Sequence, residues 1–193
     1  LTLIQGALEK IQYSGKAPKE MSYSLKVMEK STQRMLRLIN QLLEFRKMQN
    51  NKLALSLEET DVIAFLYEIF LSFNDAAESK RMDFRFSPSV ASYKMFIDKS
   101  NLDKVTYNLL SNAFKYTPSE GKIILTVKVD ETANTLIISV SDTGVGIPKE
   151  KRNELFKRFM QSSFSSSSVG VGLHLTHELV NVHKGTIEYK END

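Results

Sequence analysis

Three polar side chains stand in a line within an otherwise apolar stretch. Asn108, Asn112 and Lys115 recur at steps of four and three, which in a helix puts them along one face. Leu102, Val105, Leu109 and Ala113 also recur at threes and fours, on a different face, and read as the stripe that packs. A carboxamide oxygen is a hard ligand suited to magnesium, and an ammonium suits a phosphate oxygen. Asparagine is a poor helix former, so two of them inside one helix argue for a reason other than propensity. A solvated polar face is the plain alternative, and this stretch alone leaves both readings open.

Two glycine-bearing turns follow. Asp142-Thr-Gly-Val-Gly-Ile147 closes an alternating apolar run, and Gly170-Val-Gly-Leu173 opens a helical one. A carboxylate at a strand end can accept a hydrogen bond from an exocyclic amine. Gly144 and Gly146 lack a Cβ and let the backbone lie against a flat base. Exposed N–H groups at a helix start favour phosphate. An ordinary strand-to-turn Asp and a flexible hinge are the plain readings of these two motifs.

The three motifs in this order resemble the ATP-binding domain of sensor histidine kinases, within the larger GHKL group of ATPases and kinases. The resemblance runs over essentially the whole chain and is compatible with a hybrid sensor kinase. It implies two-component signal transduction, in which the γ-phosphoryl of ATP passes to a histidine and onward to a response-regulator aspartate, with ATP and Mg2+ as cofactors. By resemblance, Asn112 is the magnesium ligand, Asn108 supports it, and Lys115 meets a phosphate. Asp142 reads the adenine amino group, Tyr116 packs beside the ring, and Gly144, Gly146 and Ile147 line the base. Gly170, Val171, Gly172 and Leu173 face phosphate. Phe156 belongs to Leu155-Phe-Lys-Arg-Phe159, which resembles the family's Phe box and packs a lid. The chain departs from the family at Ser168, where the first glycine of Gly-x-Gly-x-Gly-Leu usually stands. ATPases of the group that hydrolyse ATP place a Glu where Asn108 stands. That Glu activates water, and an amide has no useful basicity for this, so the exchange favours transfer to a histidine.

Composition bounds the rest. The chain has 193 residues, 41% hydrophobic and 25% charged, with a net charge of +3. That is ordinary for a globular chain and too mild for a nucleic-acid partner. There is no cysteine, which excludes disulfides and thiolate metal sites. The longest apolar stretch, Val62 to Phe73, contains Glu68 and is too short to span a bilayer. No signal peptide is visible. His174 and His177 are three apart, with no Glu or Cys at a matching position to complete a zinc site, and read as surface histidines.

The elements that must position the polar line begin with helices. Leu1, Ile4, Leu8 and Ile11 step by threes and fours, and Ser14 to Pro18 breaks the run. Met21, Leu25, Met28, Thr32, Met35, Ile39, Leu42 and Arg46 then hold a heptad seam. The expectation is an antiparallel hairpin over residues 1–50, forming half of a homodimeric four-helix bundle. In the resembled family this helix carries His-Glu-Leu-Arg-Thr-Pro, often followed by Leu-Thr-Leu-Ile, and the chain opens on Leu1-Thr-Leu-Ile4. The acceptor histidine is therefore expected just before residue 1, and this stretch alone is not expected to label itself. His177-Glu178-Leu179 is followed by Val180-Asn181 and is rejected as a substitute. The chain reads as an excised fragment, the cytoplasmic portion of a membrane-anchored sensor.

Residues 51–193 form the expected ATP-binding domain, with an α+β fold: a two-layer α/β sandwich whose mixed sheet carries helices on one face. Strands are expected at Leu53 to Leu57, Met82 to Phe86, Tyr93 to Ile97, Ile123 to Val129, Leu136 to Val140 and Thr186 to Tyr189. A helix capped by Thr60 or Asp61 should run to about Ser79. A second, capped by Asp98 or Ser100, should carry the polar line and end at Thr117-Pro118. A short one follows Pro148, and another spans Leu173 to Val182. The Ser-rich segment from Gln161 to Val169 is expected to be a lid that nucleotide orders. The partners implied are ATP, a second copy through the hairpin, and a response-regulator receiver domain. Two competing readings are a non-catalytic nucleotide-binding or dimerisation module and an anti-sigma-type serine kinase.

Overall fold

The computed structural model describes residues 55–156 and 172–191, together with Leu25, Met28, Thr32 and Ile39. The chain divides into two compact units, Leu1–Leu53 and Ala54–Asp193. In the first, the four described residues are helical. Leu25 and Thr32, seven residues apart, are buried, while Met28 and Ile39 are exposed. The remainder of the expected hairpin, including the seam residues Met21, Met35, Leu42 and Arg46, lies outside the described residues.

The second unit opens with strand β1 (Glu58–Asp61) and helix α1 (Val62–Leu71). Asp61 ends the strand and caps the helix, its Oδ1 accepting from the N–H groups of Ile63 and Ala64. Of the strand expected at Leu53 to Leu57, residues 55–57 are described and are not in a strand, which begins at Glu58. The reason is local: the Ser56 N–H donates to Asp98 Oδ2 at 3.0 Å, so it is not available to a ladder. The single helix expected to reach Ser79 is two, α1 and α2 (Asn74–Ser79). Ser72 turns its hydroxyl back onto the Ile69 carbonyl at 2.6 Å, a bond that competes with helix continuation. Phe73 then swings inward and stacks on Phe114, ring centres 5.2 Å apart.

Strands β2 (Asp83–Pro88) and β3 (Lys94–Ile97) precede the long helix α3 (Lys99–Tyr116). Of the two expected caps for α3, Asp98 serves. Its Oδ1 accepts from the Asn101 N–H and its Oδ2 from the Asn101 carboxamide. The helix ends at Thr117, which is extended because the residue before a proline is pushed out of the helical region. β4 (Lys122–Asp130) and β5 (Thr135–Asp142) form a hairpin. A short helix α4 (Lys149–Arg152) and the helix α5 (Gly172–Val182) complete the described elements.

The described strands form two sheets rather than the single one expected. β1 pairs antiparallel with β3, while β2, β4 and β5 make a mixed sheet in which β2–β4 is parallel and β4–β5 antiparallel. β2 stops at Pro88, which has no N–H to extend a ladder. The register decides which face is buried. Phe84, Phe86, Ile123, Leu125, Val127, Val129, Leu136, Ile138 and Val140 occupy one face. Against them pack Val62, Ile63, Leu66, Ile69 and Phe70 of α1 and Leu110, Ala113 and Phe114 of α3. Helices thus cover one face of a mixed sheet, as an α+β sandwich requires.

The strand expected at Thr186 to Tyr189 is absent among the described residues. That segment is held by side chains instead. Arg152 donates two hydrogen bonds to the Glu191 carboxylate, at 2.8 and 3.0 Å, and lies 5.5 Å over the Tyr189 ring.

Candidate functional site

The alternating register carries Asp142 to the helix-covered face, at the last pair of the β4–β5 ladder, opposite the fully buried Ile123. A carboxylate therefore terminates an apolar row at the edge of the core. Its Oδ1 accepts from the Gly144 N–H at 2.8 Å and from the Thr117 hydroxyl at 3.4 Å. The next turn closes onto the C-terminal end of α3, with the Val145 N–H 3.4 Å from the Tyr116 carbonyl. Gly144 is required by close approach: a Cβ there would stand 2.6 Å from Asp142 Oδ1 and 2.8 Å from the Tyr116 carbonyl oxygen. Gly146 has φ of +67°, in the left-handed region. Ile147 is half-buried, and its carbonyl accepts from Arg152 Nε at 3.0 Å. The Glu191 carboxylate paired with that guanidinium raises the affinity of Arg152 for its proton further.

The end of α3 is thus joined to the Asp142 turn, and the expected residues Asp142, Gly144 and Tyr116 meet there, with Lys115 beside Tyr116. Tyr116 is half-buried and supplies its carbonyl to the turn. Lys115 is exposed, with Nζ 3.1 Å from the Tyr116 hydroxyl and 4.8 Å from the centre of its ring. Lys80 was not singled out from sequence. Its Nζ donates to the carbonyls of Phe114, at 2.5 Å, and Thr117, at 3.4 Å. A cation there satisfies carbonyls that the helix end leaves open and complements its dipole.

Further back along α3, Asn108 faces α5. Its Nδ2 donates to the Gly172 carbonyl at 3.3 Å and to Thr176 Oγ1 at 3.4 Å. Asn112, one turn closer to the C-terminal end, is half-buried, and among the described residues its carboxamide has no hydrogen-bond partner. Gly172 begins α5, and Leu173 is half-buried in its first turn. Gly170, Val171 and the whole expected lid from Gln161 to Val169 lie outside the described residues. Phe156 stacks on His177, ring centres 5.9 Å apart, and its carbonyl lies 2.9 Å from His174 Nδ1. The two histidines thus dock Phe156 on α5. Among the described residues, no group of three or more His, Cys, Asp or Glu could hold a metal ion.

The site thus has three separate polar parts: Asp142 with its glycine turn, the α3 carboxamides, and the start of α5. Thr117 and Thr176 hydrogen-bond to Asp142 and Asn108 from behind the site and were missed from sequence. The signals were present, since Thr117 follows Lys115-Tyr116 directly and Thr176 stands four residues after Gly172. Neither spacing says which side chain a hydroxyl will meet.

Comparison with known proteins is consistent with this geometry. Residues 97–193 match the family model described as "Histidine kinase-, DNA gyrase B-, and HSP90-like ATPase", and residues 1–51 match "His Kinase A (phospho-acceptor) domain". The chain is 35% identical to histidine kinase P4 of Formosa agariphila over 97% of its own length and 14% of that protein's. It is 32% identical to the sensor histidine kinase WalK of Bacillus subtilis over 84% of its length and 27% of that protein's. The solved structure of the Acinetobacter baumannii histidine kinase AdeS superposes with a TM-score of 0.72 at 25% identity, over 98% of this chain and 87% of that one. The chain spans only 14% of the length of histidine kinase P4 and 27% of that of WalK. Among the described residues, no helix is long and apolar enough to cross a membrane. The matched phospho-acceptor and ATP-binding models, in that order along one chain, identify it as belonging to the sensor histidine kinases.

Proposed function

We propose that this chain binds Mg-ATP between the end of α3, the Asp142–Ile147 turn and the start of α5. The γ-phosphoryl is then delivered to a histidine of the phospho-acceptor part and onward to a receiver-domain aspartate. The observation that carries the reading is the meeting of Asp142, Gly144 and the Tyr116 carbonyl. A carboxylate stands beside a glycine turn too tight for any side chain, which suits a flat, amine-bearing base.

The residues present fit the cation. Asn108 commits its amide hydrogens to α5, which leaves Oδ1 as a neutral hard oxygen, and Asn112 offers a second. Magnesium prefers such oxygens together with water and phosphate. When bound, the ion would neutralise charge developing on the transferred phosphoryl group. Asn112 and Asn108 would hold it, Asp142 would read the adenine amine and Tyr116 would flank the ring. Lys115 would meet a phosphate on unfolding from Tyr116, and the N–H groups from Gly170 to Leu173 would hold the phosphate chain. Asn108 is an amide that donates to a carbonyl and is no base for water. That supports phosphoryl transfer over hydrolysis. The phospho-acceptor match over residues 1–51 supports a histidine target over the serine of an anti-sigma-type kinase, and dimerisation through that part follows the same reading. The full-length protein is proposed to be a membrane-anchored sensor with this portion in the cytoplasm.

Calorimetric titration with ATP, in magnesium and in chelator, tests the reading. Binding that magnesium strengthens is expected. A chain that takes up no ATP in either condition would be a dimerisation module, and the proposal would fail.

A further inference from the structure

Asn108 can serve as an oxygen ligand only if its carboxamide faces the right way. The two ends of an amide are nearly the same shape, so packing alone does not choose between them. Hydrogen-bond partners choose instead, and two of them converge on Asn108. The Gly172 carbonyl is an acceptor by nature. Thr176 Oγ1 can either donate or accept, and its surroundings decide which.

Thr176 is fully buried. Its hydroxyl lies 3.0 Å from the same Gly172 carbonyl, the back-bond that a helical Thr makes to the residue four before it. A hydroxyl has one proton. Donating it to Gly172 leaves Oγ1 only lone pairs to show Asn108, whose Nδ2 stands 3.4 Å away. Both neighbours therefore call for the NH2 end, and a flipped amide would put its oxygen against two acceptors.

We propose that Thr176 is a positioning residue for the cation site: by spending its proton on Gly172 it holds the Asn108 carboxamide with Nδ2 on the Gly172 and Thr176 oxygens, which keeps Oδ1 out of those two bonds as an oxygen ligand. The inference rests on the reading of Asn108 given above and adds a residue that touches neither nucleotide nor metal. It also ties the start of α5 to α3, since one carbonyl, that of Gly172, takes hydrogen bonds from both Asn108 and Thr176.

Thr176→Val keeps the shape and removes the hydroxyl, leaving only the Gly172 carbonyl to orient the amide. Thr176→Ser restores the hydroxyl. The measurement is calorimetric affinity for a non-hydrolysable ATP analogue, in magnesium and in chelator, with thermal melting to confirm folding. Thr176→Val is expected to keep its affinity in chelator and to lose about three- to tenfold of the strengthening that magnesium supplies, the effect of one net hydrogen bond. Thr176→Ser should recover it. Thr176→Ala, with no branched group to accommodate, gives the same reading should the valine variant not fold. The inference is overturned if the valine or alanine variant keeps the full response to magnesium. Equal weakening in chelator and magnesium, or a serine variant as impaired as valine, would also overturn it, because the residue would then act by packing. A wild-type chain that binds the analogue with no response to magnesium overturns the cation reading, and this inference with it. Full magnesium response in both wild type and variants overturns only the role of Thr176.

Discussion

Asp142 stands directly opposite Ile123 in the β4–β5 ladder, so a carboxylate caps a row of side chains that is otherwise apolar. Strand alternation alone brings it to that face. A shift of one residue in register would turn Asp142 to the outer face and carry the buried row out with it. The core and the nucleotide site therefore depend on the same pairing. Damage to the hairpin at Asp130 to Asn134 would be felt at its far end.

Asp142→Asn should weaken ATP binding by about 2–4 kcal/mol, because it sets a donor against an amine and disturbs the acceptor that Gly144 and Thr117 use. Calorimetry measures this. Unchanged affinity would remove Asp142 from the adenine site.

Asn108→Asp separates the structural from the chemical role of the amide. It replaces the NH2, now 3.3 Å from the Gly172 carbonyl, with a carboxylate oxygen that repels that carbonyl. A loss of about 1–3 kcal/mol in stability is expected at neutral pH. The loss should shrink in acid, where a protonated carboxyl can donate again. Melting curves across pH, compared with wild type, check both parts. A loss independent of pH would mean that the amide hydrogens do not matter.

The polar line on α3 and the apolar alternation of β4 and β5 were legible in the sequence, because each follows a single period over many residues. The Asp142 and Gly172 motifs were legible as turn and helix start for the same reason. What escaped depends on one side chain meeting something distant. The break after Leu71 turns on the Ser72 hydroxyl and on the gain from burying Phe73 against Phe114, and an uninterrupted apolar run hides it. Thr186 to Tyr189 carries a strand-like composition, yet Arg152, far earlier in the chain, holds it through Tyr189 and Glu191. The hydroxyls of Thr117 and Thr176 read only as a terminator and a helix residue until their partners are seen.

Asp61 should make stability depend on acid. The Ser92 hydroxyl above all, with N–H groups of Ala64, Tyr93 and Ile63, holds its carboxyl below the ordinary 3.8. The folded form then binds the proton less well than the unfolded. The contribution is fully present above the unfolded value and is lost as pH falls through the folded one. Asp61→Ala removes the cap of α1 and should cost about 0.5–2 kcal/mol at neutral pH. The gap from wild type should close as pH falls below the carboxylate range. Denaturant melts at neutral and acid pH would reveal a constant gap, if the carboxylate charge were irrelevant.

A stabilising change is expected at the other end of the unit. After α5, the Gly185 N–H donates to the Val180 carbonyl at 3.0 Å, and Lys184 between them has φ of +58°. This is the left-handed residue with which many helices stop, and glycine is the residue that usually holds it. Here glycine comes one position later, and the exposed Lys184 carries the strain of its Cβ. For an L-residue that strain is about 1–2 kcal/mol. Glycine would remove it but would lose about 0.5–1 kcal/mol through the freedom of the unfolded chain. Lys184→Gly should therefore gain about 0.5–1 kcal/mol net, which in a chain of this size raises the melting temperature by about 1–4 °C. Lys184→Ala serves as the control, because it removes the charge and keeps the Cβ. If alanine stabilised as much as glycine, charge at the helix end would be the cause. If neither did, the left-handed residue would cost nothing here.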